Sequence, residues 1–108
     1  MKQYTTPEQT AKLIELGFEK PKNALPIREE NKALVYQLRY TIGELLSFLP
    51  KSIKVNNCYF TLTIIAKFDN WSVKYVDMSY GSQAYVYDVE LIDALFTEIL
   101  HFKEEGVI

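Results

Sequence analysis

The run SIKVNNCYFTLTIIAKFDNWSVKYVDMSYGSQAYVYD, residues 52–88, decides the fold. Three turn signals cut it: Asn56-Asn57, Asp69-Asn70, and the loop Ser79-Tyr80-Gly81-Ser82. Asn and Asp tolerate positive φ, so the first two read as two-residue hairpin loops. The four pieces between the turns alternate apolar and polar residues with a period of two, as strands do. Closing the hairpins in this way puts Ile53, Val55, Cys58, Phe60, Leu62, Ile64, Ala66, Phe68, Trp71, Val73, Tyr75, Ala84 and Val86 on one face. The opposite face takes Lys54, Tyr59, Thr61, Thr63, Ile65, Lys67, Ser72, Lys74, Val76, Met78, Gln83, Tyr85 and Tyr87. A slip of one residue in any hairpin would send its apolar set to the wrong side, so this agreement predicts a four-stranded antiparallel meander over 52–87.

Helices flank the meander. Asp88 is an N-cap candidate for a helix over 89–105, whose stripe Ile92, Leu95, Phe96 and Ile99 would lie across the apolar sheet face and which Gly106 would end. Upstream, Thr41-Ile42-Gly43-Glu44 is a capping box opening a helix over 42–49 before Pro50. A second capping box, Thr6-Pro7-Glu8-Gln9, opens a helix over 7–16 that stops at Gly17. Residues 33–39 alternate again and predict an extra strand, while 20–32, with two prolines and no sustained period, reads as a connecting loop. The fold class is therefore α+β, with all 108 residues in one domain.

Composition narrows the function classes. Apolar residues make 48% and charged residues 24% of the chain, ordinary globular usage, and the formal charge of −2 gives no overall basic excess for nucleic acid or anionic lipid. No apolar run approaches the roughly 20 residues that span a bilayer, and residues 1–10 lack the apolar core of a signal peptide, which predicts a cytoplasmic protein away from membranes. Cys58 is the only cysteine, so neither an internal disulfide nor a paired-thiolate zinc site can form.

Candidate chemistry is thin. His101 is the one histidine and falls near the end of the last helix, where an imidazolium complements the helix dipole. Glu98 and His101 have the Glu-x-x-His spacing of di-iron helices, but such a site needs a second copy and further carboxylates. At this spacing on a helix the two read as a solvated pair. Cys58 falls on the core face and reads as a small hydrophobe. Gly17, Gly43, Gly81 and Gly106 are scattered and make no phosphate loop. The helix–sheet–helix order from residue 42 onward matches that of a double-stranded RNA binding domain, yet Asp88-Val89-Glu90 stands where those modules carry phosphate-binding lysines. These readings predict no enzyme, no cofactor and no metal.

Aromatic residues make 14% of the chain, eight of them Tyr, and several fall on the mixed sheet face. Tyr59, Val76, Met78, Tyr85 and Tyr87, with Tyr80 in the neighbouring loop, form the candidate binding surface; cross-strand pairing is expected to set Val76 beside Tyr85 and Lys74 beside Tyr87. A protein partner or self-association is the first expectation. A single-stranded nucleic acid stacking on the tyrosines among Lys54, Lys67 and Lys74 is the second. Both require that the first helix not cover this face.

Several segments also resemble a known group. Thr5-Thr6-Pro7-Glu8-Gln9 leading to Glu15-Leu16-Gly17, Ile42-Gly43-Glu44-Leu45-Leu46 to Leu49-Pro50-Lys51, and Ile92-Asp93-Ala94-Leu95-Phe96 to Glu105-Gly106-Val107-Ile108 are similar to small uncharacterised proteins carried by phages and integrated mobile elements of Bacteroidetes bacteria. That resemblance implies a phage or mobile-element accessory protein and carries over no catalytic residue.

Overall fold

Both predicted capping boxes close. Gln9 N donates to Thr6 Oγ1 (3.1 Å) while Thr6 N donates to Gln9 Oε1 (3.0 Å), starting helix α1, Pro7–Glu15. Glu44 N donates to Thr41 Oγ1 (3.2 Å) and Thr41 N to Glu44 Oε1 (3.1 Å), starting α2, Ile42–Phe48. Each box satisfies two backbone donors that a bare helix end would leave orphaned. The computed structural model describes residues 1–22, 24–27, 34–79 and 81–108.

Between these helices lies a two-stranded antiparallel sheet, β1 (Ala24–Ile27) and β2 (Val35–Leu38), in which Pro26 faces Tyr36. The segment read as a plain loop therefore contains a strand. Pro26 removes one ladder donor, which a two-stranded ribbon tolerates because each strand has a free edge, and proline is what masked the strand in the sequence. The predicted strand over 33–39 exists as β2, but it pairs with β1 and not with the meander.

The meander forms as β3 (Ser52–Val55), β4 (Cys58–Ala66), β5 (Trp71–Asp77) and β6 (Gly81–Asp88), in that spatial order. Asn56 and Asn57 take φ of 50° and 65°, the left-handed turn that their residue types permit. The second hairpin differs from expectation: Ala66 faces Trp71 and Lys67 N donates to Asn70 O (2.8 Å), so Phe68 and Asp69 form the tip and Asp69-Asn70 does not. The register moves by two residues, which preserves every face but leaves the Phe68 side chain fully exposed instead of in the core.

The third hairpin also differs. β5 ends at Asp77 and β6 begins already at Gly81, φ +85°, while Tyr80 lies outside the described residues. Tyr75 faces Gln83 and Val73 faces Val86, so Ala84 and Tyr85 together oppose Lys74 in a β-bulge, with Ala84 at φ +49°. The bulge restores the predicted facing of Tyr85 and Tyr87, but it puts Gln83 on the concave side, beside Val55 and Phe60.

Helix α3, Leu91–Glu104, starts two residues later than predicted, with Glu90 as N-cap; Asp88 Oδ1 instead accepts from Glu90 N (3.1 Å). At its other end Val107 N donates to Phe102 O (2.9 Å) around Gly106 at φ +75°, a left-handed stop that glycine adopts without strain. Its buried side, Leu91, Ile92, Ala94, Leu95, Ile99 and Phe102, packs on β5, β6 and α2, and meets Leu13, Tyr40, Leu45, Leu49, Phe60, Val73 and Tyr75 in one core. Each fully buried Leu, Ile or Phe there contributes about 1.5–3 kcal/mol. The start of α1 is tied to α3, through Gln9 Nε2 and Lys2 Nζ on Asp93 Oδ1, both at 2.8 Å. All three helices thus lie on the concave side of the sheet. No described helix is long and apolar enough to cross a membrane.

Candidate binding face

Among the described residues the convex face of the sheet is open. Tyr59 is 63% exposed, Tyr87 56%, Tyr85 and Ile65 37% each, and Met78, just past β5, 98%. Val76 in the central strand is half-buried. Because α1 is anchored beside α3, no described residue covers this surface.

The structure sorts these side chains into two groups. At one end Tyr85 and Tyr87 stack, ring centroids 4.4 Å apart. Two residues apart on one strand, they share a face, and opposite them stand Lys74, at the bulge, and Ser72, which is fully buried in the sheet surface. Lys74 Nζ lies 4.7 Å from the Tyr85 ring centre, and Lys67 Nζ lies 5.3 Å from that of Tyr87 while donating to the Tyr85 hydroxyl at 3.3 Å. At the other end Tyr59 faces Lys54 across the first hairpin, with Nζ 5.7 Å from the ring centre. These are cation–π distances. Ile65 lies six positions along β4 from Tyr59 and its row leads through Ser72 to Tyr87, while Tyr85 lies in the row of Thr63 and Lys74, so along the strands Tyr85 is roughly 13 Å and Tyr87 roughly 20 Å from Tyr59.

The expected cross-strand pairs do not form. Val76 faces Ser82, and Tyr87 faces Ser72 in place of Lys74, because the short third loop and the bulge shift the ladder. Tyr80 lies outside the described residues. What the tyrosine pattern alone did not bring out is the charge: the convex positions of β3–β6 with Lys67 carry three lysines and no Asp, Glu or Arg, in a chain whose formal charge is −2. The residues were legible from the alternation; their sign imbalance was the overlooked signal.

The hydroxyls titrate apart. Hydrogen bonding from the Tyr87 hydroxyl, and secondarily from Lys67, pulls the Tyr85 phenol down to about 8, while Tyr87 is raised because it donates to Tyr85. A phenolate on this face is therefore within reach of mildly alkaline solution.

The concave side holds the other sequence candidates. A cavity of about 520 Å³ lies between Ile53 and Val55 of β3, Gln83 and Ala84 of β6, and His101, Phe102 and Glu105 at the end of α3. His101 is half-exposed and its Nε2 sits 2.9 Å from Glu105. Glu98 is not the solvated partner its spacing suggested: its side chain is fully buried, neither oxygen has a hydrogen-bond partner among the described residues, and His101 Nδ1 stands 3.9 Å away, beyond hydrogen-bond reach. Burial, with the nearby Glu105 adding repulsion, raises Glu98 to about 8. Position 98 lies one helical turn from Leu95 and Phe102, inside the core stripe, which is why its polarity misled the reading. Cys58 is half-buried beside Val55 and Phe60. Among the described residues no three His, Cys, Asp or Glu side chains gather to hold a metal ion.

Comparison with protein-family models, with curated proteins and with solved structures finds no match for this chain.

Proposed function

We propose that this chain is a noncatalytic binding protein, an accessory of a phage or mobile element, that holds an anionic macromolecule against the convex face of its four-stranded sheet. The observation that carries this reading is the surface, covered by none of the described residues, on which Tyr59, Tyr85 and Tyr87 stand among Lys54, Lys67 and Lys74 with no carboxylate on the convex strand positions. Tyrosine contributes contact area at low entropic cost, and lysines with no carboxylate beside them on the convex strand positions select for negative charge. Two copies meeting face to face would bring six ammonium groups together, so the charge opposes self-association through this surface.

The test is retention on immobilised anionic polymers: heparin, polyglutamate and oligothymidylate. The wild-type protein should be held on at least one of them and be released by salt, and the Lys67→Glu/Lys74→Glu variant should run through. Equal elution of the two proteins from all three resins would remove the proposal.

A further inference from the structure

The charge on the convex face says that a partner is anionic; the spacing of its aromatic groups says more. We infer that the partner is a single-stranded nucleic acid, its bases stacked on Tyr59 and on the Tyr85–Tyr87 pair and its phosphates held by Lys54, Lys67 and Lys74. This rests on the proposal that the convex face is the binding surface.

Each aromatic group has its own ammonium, Lys54 for Tyr59 and Lys67 with Lys74 for Tyr85 and Tyr87, at 4.7–5.7 Å for the nearest ring of each. A nucleotide presents the complementary couple, a π face and a charge a few ångströms away. Along the strands Tyr59 and the pair stand roughly 13 Å apart at Tyr85 and roughly 20 Å apart at Tyr87, a span that an extended strand of about three or four nucleotides bridges. The surface between them is Thr61, Thr63 and Val76, low and uncharged, so a backbone can cross it.

Alternatives fit less of this. A duplex hides its base faces and would use only the lysines, too few to hold it without a broader basic surface. An acidic peptide would satisfy the lysines while leaving the exposed rings without a planar counterpart. The convex strand positions carry no Asn, Gln, Asp, Glu or Arg, which leaves few of the side chains that read base edges, so binding should depend little on sequence.

The experiment is fluorescence anisotropy with a labelled oligothymidylate of about a dozen nucleotides, against the matching duplex and against labelled polyglutamate. Single-stranded binding should exceed duplex binding by about tenfold, and log K should fall with log salt at a slope of about −2, three phosphates at roughly 0.7 each. Tyr59→Ala and Tyr85→Ala should each weaken it about tenfold, and Tyr36→Ala, an exposed tyrosine on the separate two-stranded sheet, should leave it unchanged. Equal binding of duplex and single strand, or tyrosine variants that bind like the wild type, would overturn the stacking inference. Binding of polyglutamate without binding of the oligonucleotide would overturn it too, while leaving the convex face as an anion-binding surface. Binding of neither would overturn both.

Discussion

Two pairs of tyrosines show how one residue type is used on opposite sides of a sheet. Tyr40 and Tyr75 are fully buried, and each hydroxyl donates to a backbone carbonyl, Tyr40 to Glu19 O at 2.6 Å and Tyr75 to Pro50 O at 2.7 Å. Burial raises both phenols, with Glu44 and Glu19 adding to the effect at Tyr40 and Glu98 at Tyr75. Tyr85 and Tyr87 stand exposed on the convex side, bond to each other and sit under lysines, and Tyr85 shifts downward to about 8. The inner pair fastens two connections to the core, one after α1 and one between α2 and β3. The outer pair has no structural debt of that kind, since its rings pack on each other and its hydroxyls bond to neighbours on the exposed surface and not to a backbone carbonyl. The lesson is that tyrosine content alone cannot mark a binding surface; where the hydroxyl goes separates the two uses.

Substitution breaks that contrast most strongly from the inside. Tyr75→Ala removes a buried ring that packs 5.1 Å from Phe102 and should lose about 3–5 kcal/mol, whereas Tyr85→Ala should stay within about 0.5 kcal/mol. Urea unfolding followed by Trp71 fluorescence measures both, and equal losses would void the distinction. Next comes Glu98, the buried carboxyl beside Tyr75. Its folded value of about 8 lies above its ordinary 4.5, so the folded state holds a proton that the unfolded chain has released. Stability therefore falls as pH rises from about 4.5 to about 8 and levels off above that. Glu98→Gln should remove the slope, gaining about 3 kcal/mol at pH 8 relative to pH 5. Parallel unfolding curves of variant and wild type at both pH values would refute it.

The smallest effect sharpens the outer side. As Tyr85 ionises among Tyr87, Lys67 and Lys74, the face loses net positive charge, so oligothymidylate binding should weaken a few-fold from about pH 7 to about pH 9. Tyr85→Phe should flatten the profile. The same decline in that variant would assign it elsewhere.

Much of this architecture was legible from alternation and caps. Thr6 with Gln9 and Thr41 with Glu44 announced two helices through hydrogen bonds that local spacing determines. Apart from Gln83, which lies on the concave side, the strand faces of the meander survived two register errors because the pairing moved by two residues in the second hairpin and because the bulge restored the period for Tyr85 and Tyr87 in the third. Local sequence could not reveal those shifts: Asp69-Asn70 and Phe68-Asp69 both suit a tight turn, and an extra residue in β6 shows only against its partner. Glu98 escaped because a carboxylate on a helix is ordinarily solvated, and only the tertiary packing of α3 puts position 98 under cover. The tyrosines of the candidate face were readable one by one. Their division into two lysine-flanked groups depended on the strand pairing.

The bulge at Ala84 has a consequence for crowding. β6 is an outer strand of the sheet, and a regular outer strand offers its free N–H and C=O groups to any neighbour at high protein concentration. With two residues opposing Lys74 and Ala84 at φ +49°, that row is broken midway, and a foreign strand cannot pair along its length without losing register. The same irregularity that turns Tyr85 and Tyr87 outward thus guards the edge beside them, so that another chain cannot extend the sheet regularly along β6 when many copies are packed together.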